Sequence, residues 1–234
     1  PMLLGSFDLL ADDPSGFFRL TVLIVFALVT AVTLHEFSHA FVANSLGDNT
    51  ARRLGRLSLN PMRHLDPGGA LMMFIAGFGW GKPVPVDTSQ LSRGHTDTAL
   101  VAAAGPLSNL IFAFILAIPF KTGALVPASL SLDRAAHVMT GGLSDGVADI
   151  LALVIFFNLL LGVFNLLPLA PLDGSRVLAG IVPKEHTAAY AKLQRSGPGL
   201  LVAIIMIDFA LGFGVLWGII GPVVRTLTTL ATGY

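Results

Sequence analysis

The chain contains no cysteine, and only 12% of its 234 residues are charged. The missing thiols exclude disulfides, Cys-type zinc fingers, iron–sulfur clusters and a thiol nucleophile, so any metal must be held by His, Asp or Glu. Glutamate is nearly absent, with Glu36 and Glu185 alone. Fourteen basic residues balance fourteen acidic ones, and that zero net charge excludes a nucleic-acid-binding surface spread over the whole chain. Soluble domains carry about a quarter charged residues. Half that share, with 54% hydrophobic residues and a mean hydropathy of +0.78, points to a lipid bilayer.

Four segments are apolar over roughly the 20 residues that a hydrocarbon core requires: 17–46, 99–120, 147–167 and 200–223. A fifth run, 70–78, is too short to cross and lies among Gly77, Gly79, Gly81, Pro83 and Pro85. It reads as part of a re-entrant β-like hairpin over 68–86, tolerated at membrane depth only where protein or a water-filled cavity covers its backbone. A simple membrane-surface loop has the same Gly and Pro signature. The expected fold is all-α and polytopic, with about four transmembrane helices plus that hairpin. No internal repeat or low-complexity linker divides it, so residues 17–234 form one domain behind an extracytoplasmic segment, 1–16. Pro1 before Met2 reads as a cleavage scar. Asp8, Asp12 and Asp13 without any Lys or Arg before Arg19 do not make the basic leader of a secretory signal, so the first apolar segment is expected to stay as a span.

Basic residues accumulate on the cytoplasmic side of membrane proteins. The connections on one side hold Arg52, Arg53, Arg56, Arg63, Lys82, Arg93, Arg176, Lys184, Lys192 and Arg195, against Arg19, Lys121, Arg134 and Arg225 on the other. This bias places both termini outside and runs the first and third spans inward. The cluster Arg52 to Arg63 faces anionic headgroups in this reading.

The first span contains His35-Glu36-Phe37-Ser38-His39 after fifteen uncharged residues. On a helix, positions i and i+4 share a face, so two imidazoles can reach one metal with Glu36 beside them to handle a proton. Chance packing of polar residues fits poorly, because each ionisable group at membrane depth costs roughly 2.5–3.5 kcal/mol. A catalytic zinc takes three protein ligands and keeps a position for water. The best third ligand is Asp173, where Pro168 and Pro171 interrupt the end of the third span and Asp173 can N-cap a new helix. A plain Asp-Gly turn is the bland reading. Depth favours the ligand: at 1.5 Å per residue His35 lies roughly 22 Å into a core about 30 Å thick, near the level at which the third span ends.

Asn109 and Asn165 are amides inside apolar spans. They bond neighbouring helices, or they hold substrate backbone or the carbonyl oxygen as it gains charge. His64 and Asp66 orient a ligand, bind a second metal, or cap the loop between Pro61 and Pro67. His95, His137 and His186 lie in connections and receive no role.

Five blocks in order resemble the site-2 protease family of intramembrane zinc metalloproteases: the H-E-x-x-H helix; Ser58-Leu59-Asn60-Pro61 leading to His64-Leu65-Asp66-Pro67; Gly81-Lys82-Pro83-Val84-Pro85-Val86; Ala104-Gly105-Pro106-Leu107-Ser108-Asn109; and the stretch 165–174. The resemblance covers most of the chain and is to compact members, without room for an inserted PDZ or an appended nucleotide-sensing domain. It implies His35, His39 and Asp173 as zinc ligands, Glu36 as the catalytic glutamate, and a transmembrane protein or peptide as substrate. The implied setting is regulated intramembrane proteolysis in the cell membrane, with the active site near the cytoplasmic side. It favours Asn165 over Asn109 as a substrate contact. Two rivals are a metal-ion transporter and an inactive membrane scaffold of the same fold. A transporter should carry acidic or His residues on several spans, yet in the second and fourth Asp208 is the exception, and an intact Glu36 argues against a scaffold.

Overall fold

The computed structural model describes residues 13–69, 81–126, 142–183, 186–212 and 214–234. The run 70–78 and residues 1–12 of the segment expected outside the cytoplasm lie outside the described residues. So does the core of the expected hairpin.

Helix α1 spans Pro14–Ser45. Asp13 starts it, accepting from Gly16 N at 2.9 Å, with Pro14 at the first helical position where no N–H is needed. Within it Thr21, Thr30, Ser38 and Ser45 each donate their hydroxyl to the carbonyl four residues earlier at 2.8 Å. These four hydroxyls are satisfied within the helix, as an apolar surrounding favours. Phe18, Val22, Phe26 and Phe41 point outward, whereas Leu20, Ile24, Ala27, Ala31, His35 and His39 form the buried stripe. Fully buried alanines there let neighbouring backbones approach closely.

A short helix α2 (Thr50–Arg53) and a 3-10 turn (Pro61–Arg63) follow. Helix α3 (His95–Leu116) continues after a break into α4 (Ile118–Lys121), and α5 covers Leu143–Asn165. Helices α1, α3 and α5 pack against one another. One apolar core joins α3, α5 and the last helix through Ala113, Ile155, Leu159 and Val224, and a second joins α1 to α5 through Leu20, Ile24, Ala27 and Phe157. After α5 an irregular stretch leads to α6 (Asp173–Ala179), which docks on α3. Asp173 is the first residue of α6 rather than its cap; Leu172 holds the capping position, which frees the Asp173 carboxylate.

Four helical segments among the described residues are long and apolar enough to cross a membrane: Pro14–Ser45, His95–Lys121, Leu143–Asn165 and Val215–Thr232. The first three match expectation. The fourth does not: the expected span 200–223 is cut by Gly212 and Gly214, both left-handed at φ 65° and 64°, into α7 (Thr187–Leu211) and α8 (Val215–Thr232). Hydropathy is blind to such a break because both flanks are equally apolar. The Asp208 carboxylate secures it, accepting from Val215 N at 2.6 Å and Leu216 N at 3.3 Å, which caps α8 from the preceding helix.

The described part of the hairpin region shows one isolated antiparallel bridge, Leu65 to Gly81, and no strand among the described residues. Residues 82–87 run along α1, held at three points. Arg56 donates to the carbonyls of Lys82 and Pro83, Glu36 accepts from Val84 N at 2.9 Å, and Asp48 accepts from Asp87 N at 2.8 Å.

Candidate active site

His35, His39 and Asp173 converge. His35 Nε2 lies 3.0 Å from His39 Nε2 and 3.0 Å from Asp173 Oδ2, and His39 Nε2 lies 3.2 Å from the same oxygen. They are the one His/Cys/Asp/Glu group of metal-binding shape among the described residues.

The other ring nitrogens fix what these atoms can be. His39 Nδ1 is 2.7 Å from the Val101 carbonyl, which can only accept, so Nδ1 carries a proton. His35 Nδ1 is 2.8 Å from Asn109 Oδ1 and donates to it. Each neutral imidazole therefore presents a bare lone pair at Nε2, and two lone pairs face a carboxylate oxygen within 3.2 Å. Such a cluster of acceptors calls for a cation. With metal–ligand lengths of about 2.0–2.1 Å, the edge of a tetrahedral zinc site is about 3.3 Å, close to the observed triangle. The donor set fits zinc.

Space around the imidazoles is reserved by Gly105 on α3. A β-carbon there would meet His39 Nε2 and sit 2.8 Å from His35 Cε1. Gly174 plays the same part for Asp173, pressed against the carbonyls of Leu166 and Leu167 where the chain leaves α5. Burial works against the charge of Asp173, but in the metal-free chain a second proton on an imidazole, shared with Oδ2, outweighs that and holds its carboxyl well below the usual carboxylate range.

His35, His39 and Asp173 form one wall of a cavity of about 1060 Å³. Glu36, Asn165, His95 and Arg176 also line it. Glu36 is half-buried, one oxygen tied to Val84 N. Burial pulls the Arg56 guanidinium below its ordinary value while the Glu36 carboxylate opposes that, which records their proximity. Between residues 82 and 85 no N–H is left for pairing: Lys82 N donates to His64 O at 2.7 Å, Val84 N to Glu36, and both other residues are prolines.

Asn165 donates to Leu161 O at 3.0 Å and lines the cavity. Asn109 is fully buried behind His35, with its amide occupied by protein. His64 and Asp66 are not bonded to any of the three ligands: His64 Nε2 donates to Ser58 O at 2.6 Å and Asp66 accepts from Gly69 N at 2.8 Å. Sequence reasoning passed over Asn158, Gly105 and the Val84 amide. Asn158 was detectable by the criterion that singled out Asn109, an amide in an apolar span. The other two act through space and backbone, which leave no residue-type signal.

Residues 23–207 match the model of Peptidase family M50. The chain belongs to this family. It is 39% identical over 194 residues to YwhC of Bacillus subtilis (strain 168), named a candidate zinc metalloprotease, covering 83% of this chain and 84% of that one. Rip2 of Mycobacterium tuberculosis (strain H37Rv), named in the same way, is 30% identical over 213 residues, covering 88% of this chain and 75% of that one. The zinc metalloprotease MJ0392 of Methanocaldococcus jannaschii is 27% identical over 184 residues, covering 79% of this chain and 41% of that one. No solved structure matches the chain.

Proposed function

We propose that this chain is a zinc-dependent intramembrane endopeptidase that hydrolyses peptide bonds in or near transmembrane segments of other proteins, as in regulated intramembrane proteolysis. The observation that carries the reading is the convergence of three acceptors, at 3.0–3.2 Å, on the wall of a cavity that Glu36 also lines. His35, His39 and Asp173 would hold the zinc, which would supply a water of pKa about 7 and a Lewis acid for the scissile carbonyl. Glu36 accepts the water proton and returns it to the leaving nitrogen. The Val84 N–H keeps the Glu36 carboxylate aimed at the cavity by holding Oε2. Asn165, which lines the cavity, bonds substrate backbone or the carbonyl oxygen as charge develops in this reading.

The excess of basic residues in two connections supports an active site near the cytoplasmic face of a cell membrane. An even number of candidate spans among the described residues supports termini on one common side, and the bias of basic residues supports the outside. The transporter reading loses its one supporting residue, since the Asp208 carboxylate is engaged in capping α8.

The test is metal analysis of purified protein beside cleavage of a transmembrane reporter, for wild type and Glu36→Gln. A peptidase keeps zinc in the variant and loses cleavage. Cleavage that survives the substitution, or a wild type that binds no zinc, overturns the reading.

A further inference from the structure

Behind His35 lies a chain of hydrogen bonds with a fixed direction. Asn158 on α5 donates through Nδ2 to the Val154 carbonyl at 2.8 Å. That carbonyl can only accept, so the Asn158 amide cannot be reversed, and its Oδ1 must face Asn109. Asn109 Nδ2 donates to this Oδ1 at 2.8 Å and to the Ala31 carbonyl at 2.9 Å. Both Asn109 donors are thereby used, and its Oδ1 must face His35 Nδ1 at 2.8 Å. Both amides are 0% exposed, so no water competes. Two backbone carbonyls, on α1 and α5, thus dictate which ring nitrogen of His35 carries the proton.

We propose that Asn158 and Asn109 are positioning residues forming a two-amide relay, which locks His35 with its proton on Nδ1 and so sets the metal affinity of the site. The inference rests on the zinc reading above. Its chemistry is general: a ring N–H held by an acceptor orients the imidazole and strengthens the opposite nitrogen as a ligand, and losing such a partner typically costs about 10- to 100-fold in metal affinity. His39 obtains the same service from the Val101 carbonyl, a backbone atom that no substitution removes. His35 has no backbone carbonyl at Nδ1, and Asn109 stands in for one. Asn109 alone does not suffice. Without Asn158 one of its N–H groups would be buried and unpaired, and the amide could rotate.

A plain helix-gluing role for the two amides makes a different forecast. Glue lowers the melting temperature of the metal-free chain and leaves metal affinity untouched. The relay weakens metal binding, and Asn158 acts only through Asn109.

The experiment measures zinc affinity by chelator competition on the full chain in lipid nanodiscs, for wild type, Asn109→Leu, Asn158→Leu and the double variant. The absorption of the cobalt-substituted protein gives a second readout of ligand geometry. We expect affinity to fall about 10- to 100-fold in Asn109→Leu and by a smaller factor in Asn158→Leu. The double variant should be no worse than Asn109→Leu, because the second change has nothing left to act on. Asn158→Ser guards against misfolding: its hydroxyl can bond the Val154 carbonyl as Ser38 bonds Leu34, so the chain should fold, with affinity between wild type and Asn158→Leu. Unchanged affinity and cobalt spectrum in both Asn109→Leu and Asn158→Ser overturn the relay. Equal effects of Asn158→Leu with and without Asn109 overturn it too. A wild type that binds no zinc sinks relay and peptidase together. A wild type that binds zinc through the relay without cleaving any reporter sinks the peptidase alone.

Discussion

Gly105 faces His39 across a gap too narrow for a methyl group: a β-carbon on Gly105 would run into Nε2 of His39 and stand 2.8 Å from Cε1 of His35. The third helix is therefore a mould for both imidazoles. Gly105→Ala should raise intrinsic helix stability by about 1 kcal/mol and still harm the site, because overpacking of a tight contact costs about 1–3 kcal/mol and falls on the ligands. We expect zinc affinity to drop at least about tenfold and cleavage about 100-fold, the usual result of a misplacement near 1 Å, with helical content unchanged by circular dichroism.

Gly174→Ala is expected to act on the other half of the site. The added carbon would meet main-chain carbonyls of Leu166 and Leu167, which cannot swing aside as a side chain would. Asp173, next in the chain, must shift with the start of α6. Zinc stoichiometry of the purified variant should fall well below one per chain, and full loading would contradict this account.

Val84→Pro removes the amide that holds Glu36 while leaving the three ligands alone. A hydrogen bond to a charged group is worth about 1.5–3 kcal/mol. Turnover should fall about 10- to 100-fold with zinc content unchanged, measured by reporter cleavage together with metal analysis.

Asp208→Ala removes the cap on α8. The cost expected is about 1 kcal/mol, read as a lowered melting temperature. Zinc affinity and cleavage should stay within about twofold. A collapse of metal handling in this variant would revive the transporter reading.

Acid separates Asp173 from ordinary carboxylates. Contact with a protonated imidazole depresses its folded-state pKa, so while an imidazole stays charged its stabilising contribution is present in full above the unfolded value of about 3.9 and is lost as pH falls through the lower folded one. In metal-free protein, the margin in melting temperature between wild type and Asp173→Asn should therefore persist down to about pH 4 and shrink only below it. A margin already gone at about pH 5 would contradict the depression.

Much of the site was legible because its chemistry is expensive in an apolar helix. His35, Glu36 and His39 stand out after fifteen uncharged residues, and Asp173 follows two prolines that break the third span. The first three spans were legible for the same reason. The fourth was not, since a helix break at Gly212 and Gly214 changes the backbone without changing the hydropathy on either side. Asn109 was visible as a buried amide, but its direction was not. An amide's sequence position does not tell which neighbour fixes its oxygen, and that neighbour, Asn158, lies 49 residues away. Gly105 and Gly174 escaped because empty space is a property of three-dimensional approach.

His35 and Asp173 are 138 residues apart along the chain, one on the first membrane helix and the other on the short helix that follows the third, so the proposed metal centre needs both. A nascent polypeptide carrying only its early spans owns two imidazoles and a glutamate but no complete hydrolytic machine. The proposed centre can close only once the segment after the third span has been made.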